Sequence, residues 1–115
     1  MIKISWLIEL EQVDRNRITE HYKDVYEFSE VVGEWEFAIE ECPITLKIKV
    51  KRIAPNTYIG VADHGIKGPK QISPYRSMKP QNSVQKALED ALSGFFSVWD
   101  PKLKDQTEFV LDKEW

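Results

Sequence analysis

From Ile44 to Lys51 the chain alternates apolar and basic side chains, with Leu46, Ile48 and Val50 set against Lys47, Lys49 and Lys51. Only extended backbone sends successive side chains to opposite faces, so this period of two predicts a half-buried strand. One face goes to a core and the other carries a lysine stripe. Residues 34–41 repeat the pattern, with Trp35, Phe37 and Ile39 against Glu34, Glu36, Ala38 and Glu40. Pro43 has no N–H to give to a ladder, so residues 41–44 read as the connection of a hairpin.

A pairing in which partner numbers sum to 85 satisfies both faces of that hairpin. It sets Ile39 opposite Leu46, Phe37 opposite Ile48 and Trp35 opposite Val50. On the other face it sets Glu36 against Lys49 and Glu34 against Lys51, with Lys47 diagonal to Glu36 and Glu40. The lysine stripe then cancels into a ladder of exposed ion pairs. Ala54-Pro55-Asn56-Thr57 predicts a type I turn, and residues 57–62 a third strand in which Gly60 allows a close backbone approach or a bulge.

Residues 2–10 also alternate and predict a strand. Ile18, Tyr22, Val25, Tyr26 and Val32 fit a helical spacing over 18–32, capped by Asp14 or Asn16 and ended by Gly33. The competing reading puts Tyr26, Phe28 and Val32 in a strand. The clearest helix follows at 84–99, where Val84, Ala87, Leu88, Ala91, Leu92, Phe95, Phe96 and Trp99 recur at three- and four-residue steps. Asn82 or Ser83 can cap it. With Asn82 as the cap, Gln85 completes a capping box. Lys86 and Asp90 stand four apart on its exposed side, and Asp100-Pro101 ends it. Phe109-Val110-Leu111 reads as a short edge strand. Trp6, Trp35, Phe37, Phe95, Phe96 and Trp99 fall on core-facing positions. The expectation is a single α+β domain over 1–115. Its antiparallel sheet of three to five strands packs on one long C-terminal helix, with a second, shorter helix before it.

A chain of 115 residues, 42% hydrophobic and 30% charged, is that of an ordinary globular domain that needs no disulfide or metal staple. Cys42 is the only cysteine, which excludes an internal disulfide and favours a reducing compartment. Met1 leads directly into the first strand pattern, with no apolar signal core and no long apolar span. A soluble, cytoplasmic protein is therefore expected.

The net charge of −3 conceals a segregation. Residues 1–44 hold four Lys/Arg and eleven Asp/Glu; residues 45–80 hold eight and one; residues 81–115 hold four and seven. With the strand lysines offset by glutamates, the positive charge that remains lies in residues 64–80. This stretch carries Lys67, Lys70, Arg76 and Lys79, with Tyr75 beside Arg76 and no acid after Asp63. It leads to Ser83 at the start of the strong helix, where unpaired N–H groups favour anions. Arg can fork onto a phosphate or carboxylate, and Tyr can stack or donate. The competing reading is a solvated loop whose Tyr75 and Met78 pack on the core.

His21, Cys42 and His64 lie in separate segments, without metal-ligand or nucleophile spacing. No catalytic residue, metal or cofactor is expected, and the chain is read as no enzyme. The expected function is a small binding or regulatory module that engages an anionic ligand or partner through Lys67, Lys70, Tyr75, Arg76, Lys79 and Ser83. Nucleic acid is the less favoured such partner because the flanks are acidic, and no membrane partner is expected. One alternative is a protein–protein module that homodimerises through an exposed strand edge. The other is a small enzyme using His64 and the loop.

Overall fold

A computed structural model describes Arg17, Glu20, His21, Tyr22, Asp24 and residues 29–115. The expected strand at 2–10, with Trp6, lies outside those residues, as do residues 18, 19, 23 and 25–28 of the expected helix at 18–32. Glu20 and His21 within that range, and Arg17 just before it, are helical, whereas Tyr22 and Asp24 are not. Its last residues are not: Val31 and Val32 belong to strand β1, Glu30–Ala38, and Gly33 lies inside that strand instead of ending a helix. The described chain continues with β2 (Thr45–Ala54), β3 (Thr57–Ala62), β4 (His64–Lys67), helix α1 (Val84–Phe96), a 3-10 turn (Pro101–Gln106) and β5 (Glu108–Leu111). One antiparallel sheet has the order β1-β2-β3, and a second pairs β4 with β5. The class is α+β, with both sheets packed on one main helix. No helix among the described residues is long and apolar enough to cross a membrane.

Leu46, Ile48 and Val50 are fully buried, as the period of two requires. The hairpin register differs from expectation by two residues. Phe37 faces Leu46, Trp35 faces Ile48, Glu36 faces Lys47 and Glu34 faces Lys49. The cause is a longer connection. Residues 39–44 form it, Glu41 adopts φ 63°, and Cys42 N–H donates to Ile39 O at 3.0 Å. Ile39, Cys42 and Ile44 then pack on the core from the connection rather than from a ladder. A slip of two leaves every side chain on its expected face, so the core survives the change. The Pro55-Asn56 turn also differs: Asn56 has φ 53°, which the third position of a type I turn does not allow.

Helix α1 buries Ala87, Ala91, Gly94 and Phe95. Its small residues let it lie close on β3. A Cβ on Gly60 would stand 2.4 Å from the Ala87 carbonyl oxygen, so Gly60 meets the close approach expected of it. Ser83 is the cap, accepting from Lys86 N–H at 3.1 Å. Gln85 therefore has no capping-box role and donates to Glu89 at 2.7 Å. The helix ends at Phe96, and Asp100-Pro101 instead opens the 3-10 turn, with Asp100 accepting from Lys102 N–H. Trp99 stays in the core beyond the helix, but Phe96 is 51% exposed and is no core residue. Phe109 of β5 stacks on Phe95 at 6.2 Å and meets Trp99 at 5.7 Å. That aromatic cluster seats the second sheet on the end of the helix that the first sheet covers.

Candidate functional site

The basic stretch is not one long loop. Its first residues form β4, and its return is fastened along its length. Gly68 N–H donates to the Gln71 side chain at 2.7 Å, closing a tight turn. Tyr75 exchanges two backbone hydrogen bonds with Ile66 of β4, and Gln81 does the same with Tyr58 of β3. Between those bridges Asp90 of α1 accepts from Ser77 Oγ at 2.8 Å and from Lys79 N–H at 3.1 Å. Gly94 allows this approach, since a Cβ there would stand 2.6 Å from the Ser77 Cβ. Asp90 thus fastens the segment and forms no ion pair with Lys86, contrary to the spacing argument. Three large apolar side chains are left outward in this fixed segment: Ile72, 98% exposed, Met78, 44%, and Tyr75, 38%. Tyr75 and Met78 do not pack into the core.

The structure divides the expected site residues. Lys67 lies in β4 opposite Glu108, and Lys70 sits exposed in the turn. Tyr75 and Arg76 run beside β4, whereas Lys79 and Ser83 belong to the α1 side. The Ser83 oxygen is engaged as the helix cap. Arg76 is not the uncancelled charge that its neighbours in sequence imply. Its Nη1 donates to Ala62 O at 2.8 Å and to Asp112 Oδ2 at 2.9 Å. Both contacts use the same nitrogen, and among the described residues no hydrogen bond engages Nε or Nη2. The guanidinium is held at one corner, and its Nε–Nη2 edge makes no hydrogen bond there.

Asp112 is the residue that sequence spacing does not reveal, because it reaches Arg76 from 36 positions downstream. Its Oδ1 also accepts from Glu114 N–H at 3.0 Å. That backbone bond, and next the Arg76 contact, hold its carboxyl below the ordinary carboxylate range. Its backbone N–H donates to Asp63 O at 2.8 Å. From there residues 113–115 cross the outer face of the first sheet. The Trp115 indole N–H donates to Val61 O at 2.8 Å, and the Lys49 ammonium lies 4.2 Å from the indole centroid while donating to the Trp115 backbone oxygen.

The lysine stripe is therefore offset only in part by glutamates. Lys47 meets Glu36 at 3.9 Å, Lys49 turns to Trp115, and Lys51 forms no ion pair among the described residues. Where β3 gives way to β4, Asp63 is buried. Its Oδ1 accepts from Lys47 N–H at 3.0 Å and from His64 Nδ1–H at 2.8 Å. Among the described residues no group of three or more His, Cys, Asp or Glu is placed to hold a metal ion. Comparison with protein-family models, with curated proteins and with solved structures finds no match to this chain.

Proposed function

We propose that the chain is a binding module that takes an anionic group of a ligand or partner at residues 67–79, with Arg76 as its anchor. The observation that carries this reading is the half-used guanidinium. Ala62 O and Asp112 fix Nη1, so the Nε–Nη2 fork is oriented before any ligand arrives and loses little rotamer freedom on binding. Lys70 and Lys79 add positive charge without ion pairs of their own. The outward Ile72, Tyr75 and Met78 add exposed apolar surface to the same segment, a feature of interaction sites. The acidic remainder of the chain disfavours long polyanions and favours a compact anionic group.

Calorimetric titration with citrate and with inorganic pyrophosphate tests the reading. Saturable binding is expected that weakens at least severalfold from low to moderate salt and is lost in the Arg76→Ala, Lys79→Ala double variant. Equal binding by parent and double variant rejects it. A second reading, homodimerisation through the edge of β5, is favoured by the exposure of Val110 and Leu111 there. Light scattering that gives a monomer mass at high concentration rejects that reading. The Asp63–His64 pair supports the fold's corner in our reading, and an enzyme built on it is the least supported alternative.

A further inference from the structure

We infer that Asp112 is an internal competitor at the anion site, and that an oxyanion bound at Arg76 loosens the segment 112–115 that Trp115 latches onto the sheet. The inference rests on the proposed role of Arg76. Asp112 presents to the guanidinium the group that an external carboxylate or phosphate would present. A second anion on the Nε–Nη2 fork shares one positive charge with Asp112 and repels it. Arg76 does not leave with Asp112, because Ala62 O still holds Nη1.

Asp112 is also the root of the segment that follows. Its side chain accepts from Glu114 N–H, and its carbonyl accepts from Trp115 N–H at 3.2 Å. A shift at Asp112 therefore reaches Trp115 through two local hydrogen bonds. The segment beyond it rests on the charged face of the sheet and supplies none of the buried core residues. Its attachment is a handful of directed contacts: the indole to Val61 O, the Lys49 ammonium over the ring, and the same ammonium to the backbone oxygen. Such an element opens at far lower cost than the core strands beneath it. Linkage then requires reciprocity: if the anion favours the loosened segment, loosening the segment favours the anion.

The test uses the full chain, with pyrophosphate and citrate as probes at constant ionic strength. Asp112→Asn keeps the shape and the turn but removes the competing charge. It is expected to bind either probe about fivefold tighter than the parent, at the low end of ordinary coupling. Lys49→Met, which frees the segment from its far end, is expected to bind about twofold tighter. The indole N–H resonance of Trp115, identified with Trp115→Phe, should shift and exchange faster with solvent as the parent is saturated. The inference is overturned if the parent binds but both variants bind no tighter, or if the Trp115 resonance is unmoved at saturation. Binding that appears only in Asp112→Asn supports it in its strongest form. Absence of binding in the parent and both variants removes the anion site itself, and the coupling with it.

Discussion

The two faces of the β1-β2-β3 sheet use alternate residues of the same strands, and they are held by different physics. The inner face presents Leu46, Ile48 and Val50 toward α1, and all three side chains are fully buried. The outer face presents Lys47, Lys49 and Lys51, and what crosses it is a tail of hydrogen bonds, ring contacts and charge. Apolar burial is additive, directionless and insensitive to salt, so the inner face supplies stability. Directed polar contacts in reach of water contribute little each and respond to ions and ligands. A protein that must hold one shape and still answer a partner can assign one task to each face.

The sharpest way to break this comparison is to match the costs of the two faces. Ile48→Ala should lose about 3 kcal/mol in chemical denaturation, through lost transfer energy and a cavity that neighbouring strands cannot fill. Any outer-face variant that cost as much would end the distinction. Gly60→Ala should lose about 1–3 kcal/mol, because its Cβ meets the Ala87 backbone and must push α1 off β3. Asp90→Asn should lose about 1 kcal/mol, and amide exchange should rise at Lys79, whose N–H that carboxylate holds.

Asp112 gives a smaller effect with a definite sign. Its folded pKa lies below its ordinary value of 3.8, so its contribution is full above that value. It is lost as pH falls through the folded value. Stability measured from pH 6 downward should fall less steeply in Asp112→Asn than in the parent, and the difference should appear only on the acid limb. An identical acid limb would show that the Arg76–Asp112 contact does not persist in solution. Smallest of all, Lys49→Met should change stability by less than about 1 kcal/mol, the size of an exposed cation–ring contact.

What could be read from the residues follows the same division. The strand pattern of Leu46, Ile48 and Val50 and the helix pattern of Ala87, Ala91 and Phe95 were legible, because burial imposes a period that sequence displays. The register was legible in its faces but not in its count. A six-residue connection with Glu41 at positive φ leaves no mark in a pattern of period two. β4 was hidden because it is only four residues long, His64–Lys67, with Gly65 inside it and Gly68 directly after. At the candidate site, Lys70 and Lys79 stood out by charge. The partner of Arg76 did not, since contact between positions 76 and 112 is made by the fold and not by spacing. Trp115 carried no pattern either, because its contacts with Val61 and Lys49 are likewise made by the fold. Phe96 misled because helical periodicity at a terminus marks a wider stripe than the core covers.

Asp63 joins two sheets with one residue. Its N–H and carboxylate extend the β2–β3 ladder through Lys47, while its carbonyl receives Asp112 from the end of β5. Neither sheet can pivot at this corner without breaking bonds in the other. Both sheets also share one apolar core, which groups Ile66 of β4 with Leu46 and Ile48 of β2 and Phe95 of α1. Replacing Asp63 with leucine would keep its backbone bonds to Lys47 and Asp112 but leave Lys47 N–H without its carboxylate acceptor, and should lose about 1–3 kcal/mol in chemical denaturation.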